Sequence, residues 1–183
     1  LTHFKDPDGD GFYFTADDHE QLIARQKDVQ DSSVPSGNAM AATCLLRLAK
    51  LTGRSEFLDA AESSLRLGQG LMENHPSAAG QMLLALELYL GPTPEIVLVG
   101  DPDLEEMKKV LLELRSQFIP NRVIASRTDP AVGSSQLEEL FQGKAQGDAT
   151  PTLYVCQQFS CAEPVSGVEQ IAQTLRSLAD SPA

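Results

Sequence analysis

Apolar residues change their rhythm once along the chain, near "GPTPE" at residues 91–95. Before that point the spacing is helical; after it, short apolar runs alternate with helical stretches. "AMAATCLLRLAKL" (39–51) is apolar nearly all round, which predicts a helix buried on most sides with Cys44 in its core. The turn signal "PSGN" (35–38) precedes it, and Gly53 suits a left-handed cap after it. A second helix is expected from about Ser55 to Met72, with Phe57, Ala61, Leu65, Gly68 and Met72 on one face. A third starts at Pro76, which the first turn tolerates, and runs to about Leu90 with Met82, Leu83, Leu86 and Leu90 as its stripe. Short links predict antiparallel neighbours. Upstream, "GFYFT" (11–15) reads as a short aromatic strand, and "LIARQKDV" (22–29) as its return strand or a helical extension.

The later part reads βαβαβα. "EIVLVG" (95–100), "RVIAS" (122–126) and "TLYVC" (152–156) are the strands. Asp101 is expected to cap the helix that carries Leu104, Met107, Leu111, Leu114 and Phe118, with Pro102 at its first position. Ser135 with Glu138, and Ser166 with Glu169, have the spacing of capping boxes; Ile171, Leu175 and Leu178 follow the second. The fold class expected is therefore α + α/β, with helices over residues 1–91 and a small, mostly parallel sheet with covering helices over 92–183. Three helices, one apolar all round, make a poor closed core. The first part is expected to need a partner surface, either the remainder of its own chain or a second copy.

Composition narrows the function classes. Of the 183 residues 42% are hydrophobic, enough for a core, and the net charge is −12. Nucleic acid and anionic membranes need basic surface, so neither is an expected partner. No apolar run approaches the ~20 residues of a membrane span. Three cysteines argue against a secreted disulfide framework and fit a reducing cytoplasm. The chain opens on "LTHF", which reads like the tail of an earlier element, so a fragment is expected.

Two stretches carry a resemblance. "GFYFTADDHEQLIARQKDVQDSSVPSGNAMAATCLLRLAKLTG" and "YVCQQFSCAEPV" resemble the late region of the YyaL-like, spermatogenesis-associated thioredoxin-like family. The resemblance covers most of the chain. It implies the C-terminal part of a protein with a thioredoxin-like domain, an (α/α)-toroid of six-hairpin glycosidase type and a final α/β segment. On that basis residues 1–91 supply the last toroid helices, and the function implied is carbohydrate binding or processing within the full chain. The C-x-x-C of the thioredoxin-like domain is absent here.

In such a toroid the loops before inner helices line the cavity, so "DSSVPSGN" (31–38) becomes the first candidate site. Asp31 is the candidate catalytic carboxylate, and Ser36 and Asn38 are candidate ligand contacts at a helix N-terminus. The local alternative is that Ser36 or Asn38 caps the helix. Glycoside hydrolysis needs two carboxylates; the second would be Asp17, Asp18 or a residue elsewhere. With no Trp in the chain, a sugar platform would rest on Tyr13 or the Phe residues. Asp17, Asp18 and His19 offer acid–base chemistry, against the plainer reading of an exposed turn.

"DPDGDGFYFTAD" (6–17) has the spacing of a calcium loop, but no helix leads in and its second half is aromatic. A turn entering a strand is expected instead, with no metal. "VLVGDPD" (97–103) lacks the glycine pattern and lysine of a nucleotide site, and its acids would repel phosphate, so no cofactor is expected. Cys156 and Cys161 are expected to be reduced and structural, with a disulfide or redox-responsive pair as the alternative. A non-catalytic docking module remains the other class of function.

Overall fold

The structure, a computed structural model, describes residues 1–20, 23–128, 137–145, 150–157 and 160–180. The chain divides into two compact units, Leu1–Ala49 with Arg54–Leu90, and Lys50–Gly53 with Gly91–Ala183.

The first unit begins with extended runs that stop short of a sheet. An antiparallel bridge joins Lys5 to Phe12. Tyr13 N donates to Phe4 O at 2.8 Å, and Phe14 N donates to Gln26 O at 2.7 Å. The residues of "LIARQKDV" that the structure describes therefore do run back beside the aromatic segment, but neither stretch forms a regular strand. Gly11 enters the segment at φ +76°, and a Cβ there would lie 2.6 Å from Asn38 Oδ1. Only glycine satisfies both conditions.

Helix α1 spans Gly37–Thr52, α2 spans Ser55–Asn74, and a 3-10 turn at Pro76–Ala78 leads into α3, Gly80–Leu90. Gly53 ends α1 with φ +70°, as its position after the helix predicts. The α2 stripe holds: Ala61, Leu65 and Gly68 are buried, with Phe57 and Met72 packed against them. Two expectations fail. Helix α1 buries Asn38, Ala39, Ala42, Leu45 and Leu46 but exposes Met40, Leu48 and Cys44. Helix α3 buries Met82, Ala85 and Leu88 while Leu90 is 71% exposed. A stretch apolar on every side does not fix which side turns inward. Alanines 39, 42, 60, 61, 79 and 85 fill much of this core, and their small side chains let the helices approach closely. Three helices do not by themselves make an (α/α) toroid.

In the second unit β1 (Glu95–Val99) lies parallel to β2 (Val123–Arg127) and antiparallel to β3 (Thr152–Gln157). β4 (Ser160–Cys161) and β5 (Val165–Ser166) both pair antiparallel with β3. The order is β2-β1-β3-β4. The expected mostly parallel sheet is thus corrected to a mostly antiparallel one with a single parallel pair. A parallel crossover needs a connection of a dozen or more residues, usually a helix. Helix α4 (Glu105–Ser116) provides that between β1 and β2. β3 instead runs back along β1, from Glu95 against Cys156 to Val99 against Thr152, and among the described residues between β2 and β3 the helix is the four-residue α5 (Glu138–Phe141).

β1 is the centre of this unit. Ile96 and Leu98 face Met107, Val110 and Leu114 of α4 and Ile171 and Leu175 of α6 (Val168–Asp180). Val97 and Val99 face Leu140 and Phe141 of α5. Burial on both sides explains why residues 96–99 read as an unbroken apolar run.

Some expected caps are absent. Asp101 Oδ1 accepts from Asp103 N at 2.9 Å, a local turn, and α4 starts later, after Leu104. Ser166 lies in β5, with its hydroxyl 3.2 Å from Thr152 Oγ1. Ser135 lies outside the described residues.

Candidate cleft at the start of the first helix

The N-terminal turn of α1 meets the aromatic segment. Ser36 is fully buried and caps the helix: its Oγ accepts from Ala39 N at 3.2 Å, and its carbonyl accepts from Met40 N at 3.0 Å. Asn38 is only 2% exposed. Its Oδ1 accepts from Phe12 N at 2.8 Å, and its Nδ2 donates to Phe12 O at 2.9 Å and Asp28 O at 2.8 Å. One amide thereby holds the aromatic segment and the returning chain against the helix. Every bond named here goes to the backbone.

Beside Asn38 opens a cleft of about 480 Å³. Phe4, Phe12, Tyr13 and Phe14 line it, with Asp28, Asn38 and Gly37 as its polar and backbone edge. Phe14 is 71% exposed and Phe4 45%, so two rings present accessible faces. Among the described residues the half-buried Asp28 carboxylate takes no hydrogen bond or ion pair. Cys44 also lines the cleft and is exposed, so it is not the core residue expected from its apolar helix.

Tyr13 is held from behind. Arg25 stacks 4.1 Å from its ring centroid, and its hydroxyl donates to Asp6 Oδ2 at 3.1 Å. The same carboxylate takes Lys27 Nζ at 2.5 Å, and its Oδ1 takes Asp8 N at 3.0 Å. The Lys27 ammonium first, then the Asp8 N–H, hold the Asp6 carboxyl down to about 2. Asp10 Oδ1 accepts from Ser63 Oγ and Arg66 Nε. Two of the acids that spell a calcium loop, Asp6 and Asp10, thus bind cations and donors of their own chain.

The other sequence candidates lie outside this cleft. Asp31 Oδ1 accepts from Ser36 N at 2.9 Å, and Oδ2 accepts from Gln81 N at 2.7 Å. Both carboxylate oxygens are occupied by backbone donors, one of them in the first turn of α3. Asp17 does pair with a histidine, but with His3 at 2.8 Å rather than its neighbour His19. That hydrogen bond raises the His3 pKa and lowers that of Asp17. His3, Asp17 and Asp18 form the one grouping of metal-ligating types among the described residues, and all three are exposed. Asp28 and Phe4 were missed. Asp28 sits in a mixed polar run and Phe4 in a leading segment, and nothing in local spacing marks either.

In the second unit Cys156 and Cys161 are joined by a disulfide, so the expected reduced pair gives way to its alternative. The two residues are direct partners in the β3–β4 register. Among the described residues no helix is long and apolar enough to cross a membrane.

No family model matches the chain, and no solved structure does. Curated proteins do match. Spermatogenesis-associated protein 20 of Rattus norvegicus is 30% identical over 165 residues, which is 89% of this chain and 21% of the relative. The Homo sapiens protein of the same name is 30% identical over the same shares. An uncharacterized protein of Caenorhabditis elegans is 24% identical over 90% of this chain and 22% of its own length. The chain thus spans about a fifth of the length of the relatives it matches, and over most of its own length it is homologous to spermatogenesis-associated protein 20, the family that its "PSGN" and C-x4-C stretches resemble.

Proposed function

We propose that the first unit carries a carbohydrate-binding cleft that works within a longer protein. The observation that supports this reading is the juxtaposition of Phe4, Phe12, Tyr13 and Phe14 with Asp28 in the lining of one cleft. Sugar rings stack their C–H faces on aromatic rings, and a carboxylate accepts from paired hydroxyls. The resemblance to a six-hairpin glycosidase-type protein points the same way. Among the residues lining the cleft Asp28 is the one carboxylate. Hydrolysis takes two, so binding is the role assigned to this chain, and Asp31 is not proposed as its catalyst. Calorimetry of the complete protein against a panel of neutral oligosaccharides tests the reading. Binding that weakens about tenfold in Phe14→Ala, the loss of one ring contact of ~1.4 kcal/mol, supports it. Binding unchanged in both Phe14→Ala and Asp28→Asn, or no binding by the parent, rejects it.

A second reading has its own observation. Leu84, Tyr89 and Leu90 of α3 are 56%, 40% and 71% exposed. Such a surface fits a docking face for the remainder of a longer chain or for a second copy. Sedimentation of this chain alone distinguishes them: a clean monomer rejects self-association.

A further inference from the structure

Three side chains lie in one row across the sheet of the second unit. Glu95 of β1 is the register partner of Cys156 of β3, and Cys156 is the register partner of Cys161 of β4. Directly paired residues project from the same face of a sheet, their Cβ atoms about 5 Å apart. The row is graded in burial. Glu95 and Cys156 are each 1% exposed, whereas Cys161 is exposed and sits at the end of the strand order. The disulfide thus joins an exposed residue to a buried one whose register neighbour is a buried acid.

We propose that this row is a thiol–disulfide exchange site for small thiols of the glutathione kind, in which Cys161 takes up and releases the thiol, Cys156 resolves the adduct, and Glu95 accepts the proton of Cys156. In the oxidising direction the Cys161 thiolate attacks a small disulfide, RSSR. A Cys161–SR bond forms, the RS–SR bond breaks, and RS⁻ leaves and is protonated by water. The Cys156 sulfur then attacks Cys161 Sγ. The internal disulfide forms, the Cys161–SR bond breaks, a second RS⁻ leaves, and the Cys156 proton passes to the Glu95 carboxylate, which gives it up through water to that RS⁻. The sum is two protein thiols oxidised and one RSSR reduced to two RSH. Reduction by RSH runs the same steps backwards, with Cys156 leaving and regaining its proton.

The gradient assigns the roles. A thiolate reaches only the exposed sulfur. A buried thiol ionises poorly, because burial disfavours the thiolate, so the resolving step needs a base at its side. The row supplies a carboxylate there. The groups around Glu95 are cationic: Lys50 Nζ lies 3.9 Å from its Oε1, and Lys144, whose pKa burial lowers, feels the Glu95 field offset part of that shift while Arg127 adds to it. Tyr154 lies two residues along β3 on the same face, its hydroxyl bonded to the backbone of Ala145. This site is independent of the carbohydrate reading.

The test equilibrates the complete protein with glutathione and its disulfide, quenches with acid, alkylates, and weighs the peptides. The expected result is an adduct on Cys161 that accumulates in Cys156→Ser, while Cys161→Ser acquires one on Cys156 at least tenfold more slowly. Adducts that form first on Cys156 overturn the proposal. For the base, closure of the Cys161 adduct is followed against pH. Glu95→Gln is expected to close about tenfold more slowly near neutral pH and to gain on the parent as the pH rises and the thiol ionises unaided. Should Glu95→Gln fail to fold, the parent's own profile decides. A rate nearly level between pH 6 and 8 supports a base, and a tenfold rise per pH unit across that range overturns it.

Discussion

Asn38 holds Phe12 by both of its backbone groups, accepting from its N–H at 2.8 Å and donating to its carbonyl at 2.9 Å. The amide is buried, so truncation to Ala leaves those groups without a partner in a place that water does not reach. Asn38→Ala is expected to lower stability by roughly 3 kcal/mol, taking 1–3 kcal/mol for each unsatisfied group and some relaxation. Urea denaturation measures it. A shift under 0.5 kcal/mol would show that the clamp does not hold the segment.

The Asp31 carboxylate joins a loop to a helix start, through Ser36 N and Gln81 N. Removing a capping side chain costs about 1–2 kcal/mol. Asp31→Ala is expected to lose that much, and Asp31→Asn to recover part of it, since a carboxamide has one accepting oxygen where the carboxylate has two. Equal losses in both variants would count against the two-acceptor geometry.

Acid should loosen the segment around Asp6. Its folded carboxyl is held down to about 2 by Lys27 and the Asp8 N–H, against about 3.9 in an unfolded chain. Between these values the unfolded chain binds more protons. Its stabilising contribution is therefore complete above about pH 4 and is lost as the pH falls towards 2. Lys27→Met removes the largest of these causes and is expected to make that part of a melting-temperature profile less steep. Parallel profiles for parent and variant would dismiss the pair as a source of acid sensitivity.

Thiol counting checks the cysteines. Cys44 is exposed and the other two are bonded to each other. One thiol is expected to react in the native protein and three after reduction and unfolding. Three reacting natively would mean that the β3–β4 pair is open.

What could be read from the sequence follows from what the pattern encodes. The β1 run was legible because a strand buried on both faces must be apolar throughout, and the α2 stripe because its polar face breaks the phase. "QMLLALELYL" carries no such break, so the inward face of α3 fell on Ala85 and Leu88 unannounced. Strand direction was illegible for another reason: it is fixed by the backbone pairing of β3 with β1, and the apolar pattern of a strand is the same whichever way it runs. The site residues divide in the same way. Tyr13 and Asn38 do meet at one cleft, but a polar residue that grips backbone and one that grips ligand share the same alphabet. Only the partner atoms tell Asp31 and Ser36 from binding residues. The C-x4-C spacing allowed a hairpin; that the two cysteines face each other across it is a property of register, which no spacing states.

The Lys27 ammonium sits on the Asp6 carboxylate within a segment whose acids are spaced as for calcium. A counter-charge built into the polypeptide has a local concentration fixed by the chain and cannot be chelated or diluted. The shape of residues 6–14 is therefore inherited with the sequence, because the charge that balances Asp6 is carried by the chain itself. What reads in one dimension as a loop of acids stands in three as a pinned edge of the cleft.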